Sequence, residues 1–330
     1  MSSDFILTGD IGGTKTHLAI FSKKAGLDKP VADKKYPSVQ FKSFDEFISK
    51  FLETVKCKPR FAVFAVAGPV VCGKAKITNL PWFLDEKKLK KKFGFSSVKL
   101  INDLVGIAAS VPFLKHSDVV TINKGKVCKK GTIAVVAPGT GLGISYLFWN
   151  GRKFIAHPSE GGHAGFSPEN RIQSGLFRYL LSKNGAVSCE NVCSGPGIRN
   201  IYEYFKTIDY AKDPKEISSA IETAIDPSPV ITQYALKSAN AALSVKTIET
   251  FISILGKIAG NIALTFFATG GLYLGGGIPK IVLPFIKKKG FMDSFTGKGP
   301  ITRILSQIPV KVITHSNPAL IGSVRIIMDA

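Results

Sequence analysis

The stretch LTGDIGGTKTHLAIF, residues 7–21, places an Asp, two adjacent Gly, a Thr and a Lys between two apolar runs, as phosphate-binding loops often do. Residues 14–21 start with β-branched side chains and lack strong helix formers until Leu18, which favours a strand. Dinucleotide-binding loops and Walker loops instead open a helix at this point. The stretch therefore predicts two antiparallel strands, 5–9 and 14–21, joined by the turn 10–13, although a plain hairpin would use the same glycines.

The charge of the chain is strongly positive. The 330 residues include 44 Lys and Arg against 23 Asp and Glu, a formal net charge of +21. Such an excess can indicate nucleic-acid binding. The lysine clusters at 87–92, 124–130 and 287–290 are scattered and have no aromatic residues between them. They predict solvated lysine surfaces, with non-specific nucleic-acid binding at low salt and no specific nucleic-acid partner.

The sequence has no pattern typical of a secretory signal, a membrane span or a cysteine-based metal site. The N-terminus has no basic segment followed by an apolar one, so a cytoplasmic protein is expected. The uncharged stretch 258–279 contains Asn261 and three glycines at 275–277, which predicts a buried helix followed by a buried strand and no membrane span. The Cys residues, five in number, form no C-x-x-C pair, which predicts reduced, mostly buried thiols and no zinc site.

Regular elements alternate along the first part of the chain. Apolar residues from Phe44 to Val55 have helical spacing, and Ser43 with Glu46 forms the pattern of a capping box. A buried strand follows Arg60, and a strand that runs into a helix begins at Val98. This order of helix and strand predicts an α/β layer.

The second half of the chain repeats the opening device. GTIAVVAPGTGLGISYLFW, residues 131–149, is again a buried strand, a Gly/Thr loop and an alternating strand. A third glycine cluster, 275–277, follows the strand 272–274. Two hairpin loops from two similar domains, with a later glycine turn that can lie against a flat base, predict a nucleoside triphosphate held between two lobes.

Six motifs together resemble those of the bacterial-type glucokinases: GDIGGTKTHLAIF, INDLVG, PGTGLG, EGGHAGF, ENVCSGPG and GGGIP. The resemblance implies an α/β, two-lobed actin/hexokinase-like (ribonuclease H-like) ATPase fold with the active site in the interlobe cleft. It also implies a small domain of 1–108 plus about 315–330, a large domain of 109–314, and a homodimer. The implied reaction transfers the γ-phosphoryl group of ATP to the 6-hydroxyl of glucose, with Mg²⁺. Residues 164–175 contain no Cys, unlike the zinc-binding sugar kinases of the same fold.

The resemblance also assigns roles to residues. Asp103 is expected to be the general base, and the sugar-binding residues are expected to be Asn79, Asn102, Asp103, Glu160, His163 and Glu190. ATP is expected to contact Asp10, Gly12, Gly13, Thr14, Gly139, Thr140, Gly141, Gly276 and Gly277. Asp10 is the expected Mg²⁺ anchor, through water, since Mg²⁺ keeps several of its waters and takes few carboxylates.

Simpler interpretations stay open for several of these residues. Asn102 and Asp103 would also suit the cap of the following helix, and Glu190 would also suit an exposed surface position. At the level of the whole protein, two alternatives remain: a kinase for another hexose, such as mannose or N-acetylmannosamine, and a sugar-sensing protein without catalysis. The retained Asp103 and both glycine loops favour the enzyme.

Overall fold

The computed structural model describes residues 5–13, 15–55, 57–77, 80–238 and 240–328. The chain forms two compact units. The first takes residues 1–115, 150–158 and 315–330, and the second takes 116–149 and 159–314. Compared with the small domain expected from the sequence, the first unit also contains residues 109–115 and 150–158. The domain boundaries 1–108 with about 315–330, and 109–314, stay a prediction.

The strands belong to two large sheets and one small one. In chain order they are β1 (Phe5–Ile11), β2 (Lys15–Ser22), β3 (Ala32–Pro37), β4 (Phe61–Val66), β5 (Lys74–Lys76), β6 (Phe83–Asp85), β7 (Ser97–Asn102), β8 (Val119–Asn123), β9 (Ile133–Pro138), β10 (Leu142–Trp149), β11 (Phe154–Ser159), β12 (Gly271–Leu274) and β13 (Val310–Ile313). The sheet of the first unit has the order β3-β2-β1-β4-β7. In the second unit, neighbouring strands follow the order β10-β9-β12-β13-β8.

The helices alternate with strands in the first part of the chain, as the sequence predicts, whereas those between 171 and 265 follow one another without a strand between them. The helices are α1 (Phe44–Thr54), α2 (Glu86–Phe93), α3 (Asp103–Ser110), α4 (Arg171–Asn184), α5 (Gly195–Thr207), α6 (Lys215–Thr223), α7 (Pro227–Lys237), α8 (Ala242–Thr265), α9 (Ile278–Ile281), α10 (Leu283–Ile286), α11 (Lys289–Thr296), α12 (Thr302–Gln307) and α13 (Pro318–Met328). Short 3₁₀ turns include Ser38–Gln40 and Gly161–His163.

The first hairpin is antiparallel, with Phe5 opposite Ser22 and Ile11 opposite Thr16. β1 is longer than the predicted strand 5–9, because its ladder continues on both sides. Asp10 pairs with His17 of β2 on one side and with Ala65 of β4 on the other. The prediction that Asp10 belongs to the turn is therefore wrong: Asp10 is a strand residue, and the turn begins at Gly12.

Helix α1 covers one face of the first sheet. Its residues Phe44, Phe47, Ile48 and Phe51 are buried, as the helical spacing predicts. Ser43 caps the helix by accepting a hydrogen bond from the Glu46 amide at 3.2 Å. The Glu46 carboxylate accepts from the Lys42 amide, one residue before the position that a full capping box would use.

Helices α3 and α13 pack on the first sheet and against each other. Leu320 and Val324 of α13 bury the β1 and β2 side chains Ile6 and Phe21. Ala319 joins Val63, Ala65, Ile101 and Val105 in a second cluster. The C-terminal helix therefore completes the core of the unit that begins at the N-terminus.

The second unit is built around the hairpin β9–β10 and helix α8. The hairpin is antiparallel, with Leu142 opposite Pro138, and β12 runs parallel to β9. Helix α8 is long and apolar enough to cross a membrane by composition alone, but 67% of its apolar window is buried inside the protein. Since β12 follows this helix, the predicted buried helix and buried strand within 258–279 are confirmed.

The cysteines are all free thiols, but their exposure differs from the prediction. Cys193 is buried, whereas Cys72 and Cys128 are exposed. The prediction of mostly buried thiols is wrong because both exposed residues lie outside the regular strands and helices.

The lysines of α2 at 87, 88 and 90–92 are exposed while Leu89 is buried, which is the solvated lysine surface that the sequence predicts.

Gly322 tests the close crossing of α13 over α3. A Cβ atom at this position would lie 1.8 Å from the carbonyl oxygen of Gly106 and 2.8 Å from the Ser110 nitrogen. Because backbone atoms cannot yield as a flexible side chain does, we expect Gly322→Ala to lower the free energy of unfolding by about 2 to 3 kcal/mol. Urea unfolding followed by circular dichroism measures the change.

Gly290 of α11 supplies the matched control, since a Cβ there would meet nothing within 4 Å. Gly290→Ala should leave stability unchanged or raise it by up to about 1 kcal/mol, as expected for Gly to Ala in an open helix position. Equal stability of Gly322→Ala and the unmodified protein would show that the two helices are not held at this crossing.

Candidate active site

The first glycine loop is fixed by its own backbone and by Ser38. The Gly12 amide donates to the Lys15 carbonyl oxygen at 3.1 Å. The Ser38 hydroxyl donates to the Gly12 carbonyl oxygen at 2.7 Å and lies 2.9 Å from the Thr16 hydroxyl. Because a hydroxyl has one hydrogen to donate, Thr16 is the donor in the second bond. Thr14, an expected ATP contact, lies outside the described residues.

Ser38 is a site residue that the sequence does not reveal. Both Ser38 and Thr16 are fully buried. Ser38 belongs to no recognisable motif, and its role depends on the 3₁₀ turn that brings it to residue 12. A buried hydroxyl that orients a glycine peptide fixes the direction in which the neighbouring amides point, which is what a phosphate loop needs.

Asp10 lies at the end of β1, directly before this loop. Its side chain is half-buried, and burial raises the pKa of the carboxyl, while the nearby charges of His17 and Lys35 lower it. His17 is itself held by Asp33, with 2.7 Å between Nε2 and Oδ2. The pKa of Asp10 is raised overall, because the effect of burial outweighs those of His17 and Lys35.

The structure allows a test of whether Asp10 suits Mg²⁺. Among the described residues, no three His, Cys, Asp or Glu side chains gather into a metal cage. Mg²⁺ commonly takes one or two carboxylates, several waters and the phosphates of its substrate. A single carboxylate beside a glycine loop fits this mode of binding, in which the nucleotide supplies the remaining ligands.

Asn102 and Asp103 stand where β7 ends and α3 begins. The Asn102 side chain accepts from the Leu104 amide at 2.9 Å and donates to the Gly68 carbonyl oxygen at 3.2 Å. Asp103 Oδ1 also accepts from the Leu104 amide, at 2.8 Å. Both side chains therefore cap α3, as the helix-cap interpretation predicts. The carboxylate of Asp103 also lies at the N-terminus of this helix, where the helix dipole favours a negative charge.

Asn79, which the family resemblance assigns to sugar binding, lies outside the described residues.

The second glycine loop, 139–141, is held by residues from a separate segment. The Gly139 amide donates to the Gly141 carbonyl oxygen, and the Gly195 amide donates to the Gly139 carbonyl oxygen, both at 2.8 Å. The Leu142 amide donates to Oε2 of Glu190 at 2.8 Å. The loop is thus fixed at both ends by the segment 190–195.

The turn that carries Glu160 and His163 lies against the same segment. The His163 amide donates to the Glu160 carbonyl oxygen at 3.0 Å, which closes the 3₁₀ turn. The Glu190 amide donates to the Gly162 carbonyl oxygen at 2.9 Å. The second unit therefore brings together three of the predicted motifs: the glycine loop, the 160–163 turn and Glu190.

A cavity of about 610 Å³ opens beside Gly139 and Thr140. Side chains from α5, α7 and α9 and from the loop before α7 line it: Pro196, Ile198, Arg199, Ile225, Asp226, Pro227, Ser228, Pro229, Thr232, Gln233, Leu236, Lys237, Ile278 and Ile281. Pockets for small ligands commonly have volumes of about 300 to 1,000 Å³ and mostly apolar walls with a few polar groups. The cavity therefore has the size and lining of a small-ligand site.

Gly276 and Gly277 lead into one wall of this cavity. Gly276 has a φ of +81°, and a Cβ there would lie 2.6 Å from the Pro138 carbonyl oxygen. Glycine is therefore required for the close approach of this turn to the end of β9. The residues of α5 and α7 were missed by the sequence analysis, and only the SGPG start of α5 could have indicated them.

The predicted residues divide between the two units. Asp10, Gly12, Gly13, Asn102 and Asp103 belong to the first unit. The second unit holds Gly139, Thr140, Gly141, Glu160, His163, Glu190, Gly276 and Gly277. Each unit therefore presents one glycine loop and at least one carboxylate beside it.

Comparison with known proteins matches the chain over nearly its full length. The glucokinase family model matches residues 7–330. A glucokinase from Nostoc punctiforme is 36% identical over 333 residues, which cover 96% of this chain and 97% of that protein.

Solved structures give the same answer for the fold. A glucokinase from an Antarctic psychrotroph superposes with a TM-score of 0.84 at 30% identity, covering 99% of both chains. A ROK family glucokinase from Streptomyces griseus, in complex with glucose and AMPPNP, superposes with a TM-score of 0.66 at 16% identity and covers 99% of this chain and 100% of its own. The predicted α/β actin/hexokinase-like fold is confirmed.

The hydrogen bonds that Ser38 makes to the first glycine loop, called the Ser38 brace below, can be tested by substitution. Ser38→Ala removes the donor to the Gly12 carbonyl oxygen and the acceptor of the Thr16 hydroxyl. We expect the dissociation constant for AMPPNP with Mg²⁺ to rise about three- to tenfold, the value of one neutral hydrogen bond. Isothermal titration calorimetry measures it.

Ser96→Ala is the control, because it removes an exposed hydroxyl of the same unit, which accepts from Nε of Arg60 at 2.9 Å. This variant should bind AMPPNP as the unmodified protein does. Unchanged affinity in Ser38→Ala would show that the first loop keeps its conformation without the brace.

Proposed function

The chain belongs to the glucokinase family, and we propose that it phosphorylates the 6-hydroxyl of glucose with ATP, using Asp103 as the general base. Family membership supports ATP-dependent glucose phosphorylation as the reaction. The structural observation that carries the proposal is the cavity of about 610 Å³ beside the glycine loop 139–141, with room for a nucleoside next to a phosphate-binding loop. The neighbouring structure with bound glucose and AMPPNP supports both substrates.

Asp103 is suited to accept the proton of the sugar hydroxyl. Phosphoryl transfer depends mainly on alignment and charge neutralisation, with a carboxylate that takes the proton of the attacking hydroxyl. Asp103 follows β7 directly, at the carboxyl end of a parallel strand, where α/β proteins commonly bind ligands. Its neighbour Asn102 holds the strand end to the Gly68 carbonyl oxygen and so keeps this corner in place.

The sugar is proposed to contact Asn79, Asn102, Glu160, His163 and Glu190. Charged and planar groups that meet several hydroxyls reject sugars whose hydroxyls leave them unpaired. The support for this set is its match to the family motifs, together with the backbone bond that ties Glu190 to the 160–163 turn. Glu190 is half-buried, which argues against the interpretation as an ordinary surface carboxylate.

ATP is proposed to use both glycine loops and the cavity. The amides of Gly13, Thr140 and Gly141 would bind phosphates, and Gly12 and Gly139, whose own amides are bonded inside the loops, would let the backbone come close to them. The backbone at Gly276 and Gly277 would approach the adenine. Mg²⁺, held by the phosphates and by Asp10 through water, would neutralise charge on the transferred group. Domain closure on the sugar, a homodimer and a cytoplasmic location also stay predictions.

Asp103→Asn tests the proposed base. Asn is nearly isosteric but cannot take the proton, so we expect kcat to fall by about two to four orders of magnitude while glucose still binds. A coupled assay for sugar 6-phosphate formation measures kcat, and calorimetry measures glucose affinity. Turnover close to that of the unmodified enzyme would remove Asp103 from this role.

Asp45→Asn is the matched control. Asp45 lies in the first turn of α1 in the same unit, so this change also removes a carboxylate from a helix N-terminus, and its partner is the exposed Lys92. It should leave kcat unchanged.

The same assay with glucose, mannose, fructose and N-acetylmannosamine compares kcat/KM and separates a glucokinase from a kinase for another hexose. Sugar binding without turnover on any of them would support the sugar-sensing alternative.

A further inference from the structure

The carboxylate of Glu190 is bonded to the second glycine loop. From this contact we infer that Glu190 is a positioning residue for the nucleotide as well as a sugar contact, so that one side chain links the two substrate sites of the second unit. The inference rests on the proposed function and adds to it a role in ATP binding that is present before any sugar arrives.

The first observation is the contact between Glu190 and the loop. Oε2 of Glu190 accepts a hydrogen bond from the Leu142 amide at 2.8 Å. A Cβ atom on Gly141 would lie only 2.5 Å from the same oxygen. The carboxylate therefore lies directly against the loop backbone, and glycine at 141 is what admits it. Hydrogen bonds from an amide to a charged carboxylate are among the stronger ones in proteins.

The second observation is that the main chain around Glu190 holds the other end of the loop. The Glu190 carbonyl oxygen accepts from the Ser194 hydroxyl at 2.7 Å, and this hydroxyl caps α5 by accepting from the Gly197 amide at 3.1 Å. The next residue, Gly195, donates to the Gly139 carbonyl oxygen. One short segment thus fixes both the entry and the exit of the loop 139–142.

The third observation joins the sugar side to this segment. The Glu190 amide donates to the Gly162 carbonyl oxygen between Glu160 and His163. A Cβ on Gly162 would lie 2.0 Å from the Leu142 carbonyl oxygen, so the turn and the glycine loop touch directly. Among the described residues, the second carboxylate oxygen of Glu190, Oε1, has no hydrogen-bond partner. It is the atom that can meet a sugar hydroxyl while Oε2 stays on Leu142.

Loss of the carboxylate should therefore weaken nucleotide binding without sugar. In Glu190→Ala the Leu142 amide loses its acceptor, and we expect the dissociation constant for AMPPNP with Mg²⁺, measured by calorimetry in the absence of sugar, to rise about tenfold or more. In Glu190→Gln the amide oxygen can still accept from Leu142, so sugar-free AMPPNP affinity should return to within about threefold of the unmodified protein. Glucose affinity should stay impaired in both variants.

Glu160→Ala separates this role from a sugar contact. Glu160 is the other carboxylate proposed for the sugar, and its side chain makes no hydrogen bond to the glycine loop in the described residues. This variant should lose glucose affinity and keep sugar-free AMPPNP affinity. If Glu190→Ala behaves in the same way as Glu160→Ala, the positioning role is refuted while the proposed kinase activity stands.

A double-mutant cycle keeps the inference testable where a single variant is destabilised. Gly141→Ala brings a methyl group to 2.5 Å from Oε2, which is too close for a stable contact, so it should displace the carboxylate and weaken AMPPNP binding by itself. In the Glu190→Ala background the same change should cost at least threefold less, because the group it displaces is gone. Additive losses would contradict the inference. Failure of the unmodified protein to bind AMPPNP at all would overturn the proposed function together with it.

Discussion

The hydrogen bonds that fix the two glycine loops are the constraint on which the candidate site depends. A glycine loop can adopt many backbone conformations, so its amides converge on a phosphate only when the surrounding structure selects one of them. The loop after β1 is oriented by the buried hydroxyl of Ser38, and the loop after β9 by Glu190 and Gly195. In both cases a residue distant in sequence supplies the orientation, which makes each site a property of the folded unit.

The two units hold their glycine loops with different chemical groups. In the first, the Thr16 hydroxyl donates to Ser38 and the Ser38 hydroxyl donates to the Gly12 carbonyl oxygen, so neutral groups alone hold the loop. In the second, the bond to the loop comes from a carboxylate, which can also meet a second ligand. The difference fits the proposed roles, in which Mg²⁺ lies near the first loop and Glu190 contacts both the sugar and the second loop.

Periodicity and turn residues predicted the elements that depend on local sequence. Both hairpins, helix α1 and the strand-to-helix passage at Asn102 follow the predicted order, because apolar spacing and capping residues act over a few positions. The length of β1 was underestimated, since Asp10 stays in the ladder through pairing with β2 and β4. Glu160, His163 and Glu190, which the motifs assign to one sugar site, lie in one region of the second unit, and their role stays a prediction. Ser38 and the α7 wall of the cavity depend on tertiary contacts that no local pattern encodes, and the α5 wall had only the SGPG motif at its start to indicate it.

Hydrogen–deuterium exchange with mass spectrometry, with and without AMPPNP and Mg²⁺, tests most directly whether the glycine loops hold the nucleotide phosphates. The account predicts slower exchange in peptides that contain residues 12–13 and 139–142, and unchanged exchange in the lysine-rich helix α2. Protection confined to α2, or the absence of protection in both loops, would show that the nucleotide binds through surface charge and would contradict the central claim.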